Sequence, residues 1–119
     1  MKKLLYISGG MTGIKDNNRP AFAKASKILR KAGYRVISPP DLDKYSKHRT
    51  WEGFLRRDLS FLVKCDAIAT LNGWKKSRGA NLEIYVGKAL SMEVHPIKFY
   101  LKGKKHGIRN ERQRGKKDL

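Results

Sequence analysis

Residues 3–40 read KLLYISGGMTGIKDNNRPAFAKASKILRKAGYRVISPP, and this stretch decides the fold. Its first residues, Lys3-Leu4-Leu5-Tyr6-Ile7-Ser8, are short, apolar and closed by Gly9-Gly10. That is the pattern of a buried strand ending in a turn. A flexible stretch, Gly9 to Asn18, follows, and Arg19-Pro20 opens a helical pattern. Asn18 suits the N-cap, and Pro20 suits the first turn, where no intrahelical N–H is needed. Phe22, Ala25, Ile28, Leu29 and Ala32 recur at helical spacing, and Gly33 suits the stop. Tyr34-Arg35-Val36-Ile37-Ser38 reads as a second strand, closed by Pro39-Pro40.

The same alternation continues outward. Residues 41–50 are polar and read as a loop, with Thr50 as the next N-cap. Trp51, Phe54, Leu55, Leu59 and Leu62 give a second amphipathic helix. Asp66 to Leu71 (DAIATL) reads as a third strand, Asn72 to Arg78 as a loop, and Gly79 to Leu90 as a third helix. His95-Pro96-Ile97-Lys98-Phe99-Tyr100 reads as a last strand, with Pro96 near its start. Helical crossovers of this kind force parallel neighbours and right-handed connections. The pattern predicts one three-layer, doubly wound α/β domain of Rossmann or flavodoxin-like type over residues 1–100. Its parallel sheet has four or five strands. Such sheets bind ligands beyond the carboxyl ends of their strands, which directs attention to the loops after Ser8, Ser38 and Leu71.

A chain of 119 residues fits one domain. Twenty-eight Lys+Arg against ten Asp+Glu give a net charge of +18, which attracts phosphates on small nucleotides or on a polymer. One cysteine, Cys65, excludes an internal disulfide framework and a Cys-rich zinc site, and reads as a buried structural thiol. His48, His95 and His106 follow no metal-ligand spacing, so no metal and no cofactor is expected. No apolar run approaches a membrane span, and the apolar run after Met1-Lys-Lys is too short for a signal peptide. A cytoplasmic protein without membrane contact is expected. Residues 101–119 carry eight Lys/Arg and two acids with almost no apolar side chains. This basic tail is expected to be mostly disordered and open to non-specific nucleic-acid contact.

With ten carboxylates, each can be weighed. Asp16, Asp41, Asp43, Glu52, Glu93, Glu111 and Asp118 fall in loops, at element ends or in the tail. Asp66, where a helix hands over to a strand, reads as a turn or backbone-capping aspartate. Asp58 lies four residues after Phe54 and four before Leu62, on or beside the apolar stripe of the second helix. Glu83, three residues before Val86, borders the apolar face of the third helix. A carboxylate there is costly unless paired, hydrogen-bonded or at a cleft. Spacing alone leaves a functional carboxylate and an ion pair with one of the many arginines equally open. The positive end of the third helix favours an ionised Glu83, and such a group is a candidate nucleophile or base.

The loop Ser8-Gly9-Gly10-Met11-Thr12-Gly13 matches neither GxGxxG nor GxxxxGK[ST]. It is an ordinary turn, or a place where backbone N–H groups approach a sugar or phosphate. The loop Gly73-Trp74-Lys75-Lys76-Ser77-Arg78-Gly79 combines an aromatic, three cations and a hydroxyl just before a helix. Ser77 is either its N-cap or part of an anion site with the free N–H groups there. Trp74 either stacks on a base or covers the core edge.

Tyr6-Ile-Ser-Gly-Gly-Met-Thr-Gly, Asn17-Asn-Arg-Pro-Ala-Phe, Ala32-Gly-Tyr-Arg-Val-Ile-Ser-Pro, Arg57-Asp-Leu with Cys65-Asp-Ala-Ile, and Gly73-Trp-Lys-Lys-Ser-Arg-Gly-Ala-Asn-Leu-Glu form an ordered set. Together, over roughly residues 3–100, they resemble small phage and prophage proteins. Those proteins are related to the nucleoside 2-deoxyribosyltransferases and the 2'-deoxynucleoside 5'-monophosphate N-hydrolases. The resemblance implies cleavage of the N-glycosidic bond of a nucleoside or nucleotide. It assigns the nucleophile to Glu83, sugar contact or proton transfer to Asp58, and positioning of the nucleophile to Tyr6. The monophosphate hydrolases carry a phosphate-binding serine six residues before the glutamate, where this chain has Ser77. With Lys15, Lys75, Lys76 and Arg78 near in sequence, Ser77 tilts the reading toward a 5'-phosphorylated substrate. Ser8, Gly9, Gly10, Trp74 and Gly79 complete the expected contacts. The family often has Gly-Pro where this chain has Gly9-Gly10. Relatives also complete the site with a residue from a neighbouring subunit, which implies a homodimer or higher homo-oligomer. That residue has no match here. Two other function classes stand beside the enzyme: a nucleotide-binding protein without chemistry, and a basic nucleic-acid-binding accessory protein.

Overall fold

The computed structural model describes residues 2–45 and 50–103. Four strands, β1 (Leu4–Ser8), β2 (Arg35–Ile37), β3 (Ala67–Thr70) and β4 (Glu93–Pro96), alternate with four helices. The helices are α1 (Arg19–Lys31), α2 (Trp51–Leu62), α3 (Arg78–Ala89) and α4 (Ile97–Leu101). Every strand pairing is parallel, in the order β2-β1-β3-β4. The expected doubly wound α/β fold is present, with four strands. The chain runs from β1 outward to β2 and returns past β1 to β3. The winding therefore reverses between β1 and β3, and sheets of this kind bind ligands beyond the carboxyl ends of the strands at such a reversal.

Strand parity sorts the side chains into layers. Leu5 and Ile7 of β1, with Ala67 and Ala69 of β3, pack against Phe22 and Leu29 of α1 and Tyr100 of α4. Tyr6 and Ile68 point the other way, onto Leu62 of α2 and Ile84 of α3. Ser8 shares the parity of Tyr6 and so looks toward α3. The central strands β1 and β3 are covered on both faces, hence their near-continuous apolar runs.

Local signals explain most boundaries. Thr50 caps α2, its Oγ1 accepting from the Gly53 N–H at 2.9 Å, and Ser77 caps α3 by accepting from the Ala80 N–H at 3.1 Å. Gly33 takes φ +104° after α1, a left-handed conformation that a side chain disfavours. Asp66 accepts the Leu4 N–H at 2.8 Å, as a backbone-capping aspartate.

Other expectations need correction. Asn18 stands at the N-cap position of α1 but caps it with no side-chain hydrogen bond: it has φ 62°, and its Nδ2 donates back to the Gly10 carbonyl at 2.9 Å, tying the glycine loop to the start of α1. The loop expected at 41–50 begins as a 3-10 helix, Pro39–Tyr45. Two further short 3-10 turns cover Lys15–Asn18 and Trp74–Lys76. The last strand spans 93–96 rather than 95–100, and 97–101 is helical. Pro96 cannot donate to a ladder and closes the strand. Helical winding then stacks His95 on Phe99, 3.6 Å between centroids, and lets Tyr100 Oη donate to the Ile68 carbonyl at 2.8 Å. Leu101 belongs to α4, while residues 104–119, with His106 and most of the expected tail, lie outside the described residues, as does His48. No helix among the described residues is long and apolar enough to cross a membrane.

Candidate active site

Three buried polar side chains, Tyr6 and Ser8 of β1 and Glu83 of α3, meet on the α2/α3 side of the sheet, and the charge of a fourth, Asp58 of α2, acts on Tyr6 and Glu83. Glu83 lies on the buried stripe of α3 with Ala80, Ile84 and Gly87, and is 4 % exposed. Tyr6 Oη donates to Glu83 Oε2 at 2.5 Å, and Ser8 Oγ donates to Glu83 Oε1 at 2.7 Å. Both carboxylate oxygens are thus held by hydroxyls from alternate residues of one strand. No guanidinium among the described residues takes part, so among them the ion-pair alternative has no partner for Glu83.

That alternative holds for Asp58. Buried between Leu55 and Leu62 on α2, Asp58 Oδ1 accepts from Arg57 Nε at 3.0 Å and Nη2 at 2.8 Å. The Arg57 side chain is itself enclosed, and its Nη1 donates to Asp43 Oδ1 at 2.8 Å. Asp43 Oδ2 in turn accepts from Arg19 Nη2 at 2.6 Å. A relay of alternating charge therefore runs from the start of α1, through the segment after β2, to Asp58. Arg57, Asp43 and Arg19 are not among the site residues expected from the sequence, although Arg57 opens one of its motifs. Arg57 adjoins Asp58 in an Arg57-Asp58-Leu59 triplet, and that adjacency is the one signal that marks it.

The electrostatics follow from enclosure. Burial pushes Glu83 up to about 7 against the pull of the Tyr6 and Ser8 hydrogen bonds, and the nearby Asp58 charge adds to the rise. The sequence favoured an ionised Glu83 on dipole grounds. Glu83 sits in the second turn, however, where the dipole has faded, and desolvation dominates. Burial also raises Asp58, to about 6, despite the Arg57 guanidinium. Burial, then the charges of Glu83 and Asp58, hold the Tyr6 phenol well above its ordinary value, so Tyr6 stays a donor. Burial alone would raise Asp43, but hydrogen bonds from Arg57 and Arg19 outweigh it and keep that carboxyl below the usual aspartate value.

The remaining expected residues divide. Gly10 abuts Ser77: a Cβ at Gly10 would stand 3.4 Å from Ser77 Cβ, so the glycine loop meets the head of α3. Gly9 is a packing glycine, since a Cβ there would stand 2.7 Å from Leu71 Cδ1. Gly79 lies near Ser77 and Trp51. Trp74 is half-buried against the core cluster of Tyr6, Leu62, Ile68 and Ile84. Arg78 is drawn over the Trp51 ring, its Cζ 3.8 Å from the centroid. Lys15 is exposed on the 3-10 turn after the glycine loop. Cys65 is buried at the end of α2, where desolvation pushes its thiol up to about 12, as an inert structural thiol. Among the described residues no group of three or more His, Cys, Asp or Glu could hold a metal ion.

Chemically, the arrangement places two carboxyl groups of raised basicity near enough for the Asp58 charge to act on Glu83. One is oriented by hydroxyls and the other by a guanidinium, at the reversal point of a parallel sheet. The sequence matches a family model over residues 3–96, and the chain belongs to that family, described as a domain of unknown function (DUF4406). No curated protein matches it in sequence.

Proposed function

We propose that this protein cleaves the N-glycosidic bond of a (deoxy)nucleoside 5'-monophosphate or deoxynucleoside through a covalent glycosyl-enzyme on Glu83. The observation that carries the reading is a buried glutamate whose two oxygens are held, among the described residues, by the Tyr6 and Ser8 hydroxyls, within electrostatic reach of a second carboxyl, Asp58. The resemblance of the ordered motifs to the deoxyribosyltransferases and monophosphate N-hydrolases supports it.

In the first step a Glu83 oxygen attacks C1' and the C1'–N bond breaks. Its electron pair leaves on the base nitrogen, which takes the proton of neutral Asp58. The Tyr6 and Ser8 donors keep Glu83 oriented and share its charge, which suits the oxocarbenium character that builds at C1'. In the second step Asp58, now a carboxylate, takes a proton from water. The water oxygen bonds to C1' and Glu83 leaves. If a second base attacks instead of water, the product is a new nucleoside. Arg57 fixes one oxygen of Asp58 and leaves the other for this traffic.

A phosphate is best placed at the head of α3. Ser77 Oγ spends its acceptor role on Ala80 N–H and keeps its own proton. The first N–H groups of the helix and Lys75, Lys76 and Arg78 supply positive charge. The same reading includes a cytoplasmic homodimer or higher homo-oligomer. Leu82, Tyr85 and Leu90 leave apolar surface uncovered on α3, the helix that carries Glu83, and light scattering of the purified chain measures the state.

The test is chromatography of the purified protein with each deoxynucleoside and its monophosphate. Free base from wild type and none from Glu83→Ala supports the proposal, and release only on adding an acceptor base identifies a transferase. Equal release by wild type and Glu83→Ala, or none by either, contradicts it.

A further inference from the structure

On the face of the sheet opposite Glu83, α1 aligns Arg19, Ser26, Lys27 and Arg30 along one side, since their spacing follows the helical repeat. With Phe22 and Ser38 they border a groove of about 500 Å³. Tyr6, Ser8, Asp58 and Glu83 do not border it. The groove flanks β2, whose Val36 carbonyl accepts from Arg30 Nη2 at 3.1 Å.

Three cations and one carboxylate, Asp41, line the groove. Asp41 stands 3.7 Å from Arg30 and is largely exposed, a separated pair that leaves most guanidinium donors unused. Arg19 spends one nitrogen on Asp43. Lys27 makes no ion pair among the described residues. Under these charges lies Ser26, 4 % exposed, whose Oγ is the one buried side-chain N or O among the described residues with no hydrogen-bond partner. An orphaned buried hydroxyl is costly, and a serine hydroxyl turns to meet a partner that arrives.

We propose that this groove is a second ligand site, for a small phosphate monoester. Its dianionic phosphate sits between Lys27, Arg30 and the free side of Arg19 and accepts the Ser26 hydroxyl. Its organic body lies against Ala23 and Pro40, the more open part of the lining. The volume falls in the range of small-molecule sites and exceeds what a bare phosphate fills. Two to three cations match a dianion. Because Arg19 also holds Asp43, the site touches the relay that ends at Asp58.

The test follows backbone amide NMR shifts of the full chain during titration with glucose 6-phosphate, with glucose and with sodium chloride of matched ionic strength as controls. Saturable shifts confined to residues 19–30 and 38–41 are expected. Lys27→Glu is expected to weaken binding at least tenfold, and Ser26→Ala several-fold, both with otherwise unchanged spectra. Three results overturn the proposal: chloride reproduces the shifts, Lys27→Glu leaves them intact, or they centre on residues 77–83. A short DNA duplex that shifts the same amides at tenfold lower phosphate concentration also overturns it, because the groove would then serve a polyanion.

Discussion

Glu83 and Asp58 carry the account at the scale of single residues, and both are acids held above their ordinary values. The folded state therefore binds their protons more tightly than the unfolded chain. Stability is greatest below the unfolded values and falls as pH rises toward 6 for Asp58 and 7 for Glu83. Holding Glu83 at about 7 instead of 4.5 costs folding on the order of 3 kcal/mol once both states are ionised. Denaturant titrations at pH 4 and pH 8 are expected to show Glu83→Gln gaining on wild type as pH rises; a pH-independent difference contradicts the burial account. Tyr6→Phe removes a donor to a charged group, worth about 1.5–3 kcal/mol, so the rate of base release is expected to fall about tenfold to a hundredfold with the fold retained. The two acids were legible in the sequence because a carboxylate interrupts an apolar stripe. The Arg57–Asp43–Arg19 relay was not. Asp43 is fourteen residues from Arg57, and nothing periodic marks which of many cations will meet which acid.

Helix α3 is the element that brings Glu83 to Tyr6 and Ser8. It approaches the sheet closely because Gly87, one turn beyond Glu83, has no side chain: a Cβ there would run into Ile68 Cδ1. Gly87→Ala gains up to about 1 kcal/mol of helix propensity and loses about 1–3 kcal/mol to overpacking. A lower denaturant midpoint is expected, together with slower base release as Glu83 is lifted from its donors. An unchanged midpoint and rate would show that α3 is free to shift. The order of the first three strands and helices and the caps at Thr50 and Ser77 were readable from spacing and capping chemistry. The 97–101 segment was not, since a short apolar run such as Ile97-Lys98-Phe99-Tyr100 fits strand and helix alike. Docking of Tyr100 on Ile68 decides it.

Across the whole molecule, one sheet separates two chemistries. The α2/α3 side encloses the paired acids, and the α1 side carries the cationic groove. Activity that needs Glu83 ionised and Asp58 protonated has a bell-shaped pH dependence, with apparent values near 7 and 6 belonging to the coupled pair, and because the proton favours Glu83 the reactive form is the minor singly protonated one. Its maximum is expected between them. A rate that rises steadily from pH 5 to pH 9 would exclude Asp58 as the proton donor. The net charge of +18 predicts DNA affinity that falls steeply with salt. Affinity that survives Glu83→Ala and vanishes on removing residues 104–119 places that binding outside the candidate site. The most direct test of the central claim is mass spectrometry of peptides from acid-quenched protein after mixing with deoxynucleoside 5'-monophosphates. A deoxyribosyl phosphate adduct on the Glu83 peptide, absent in Glu83→Gln, is the predicted result; base released with no adduct on that peptide would contradict it.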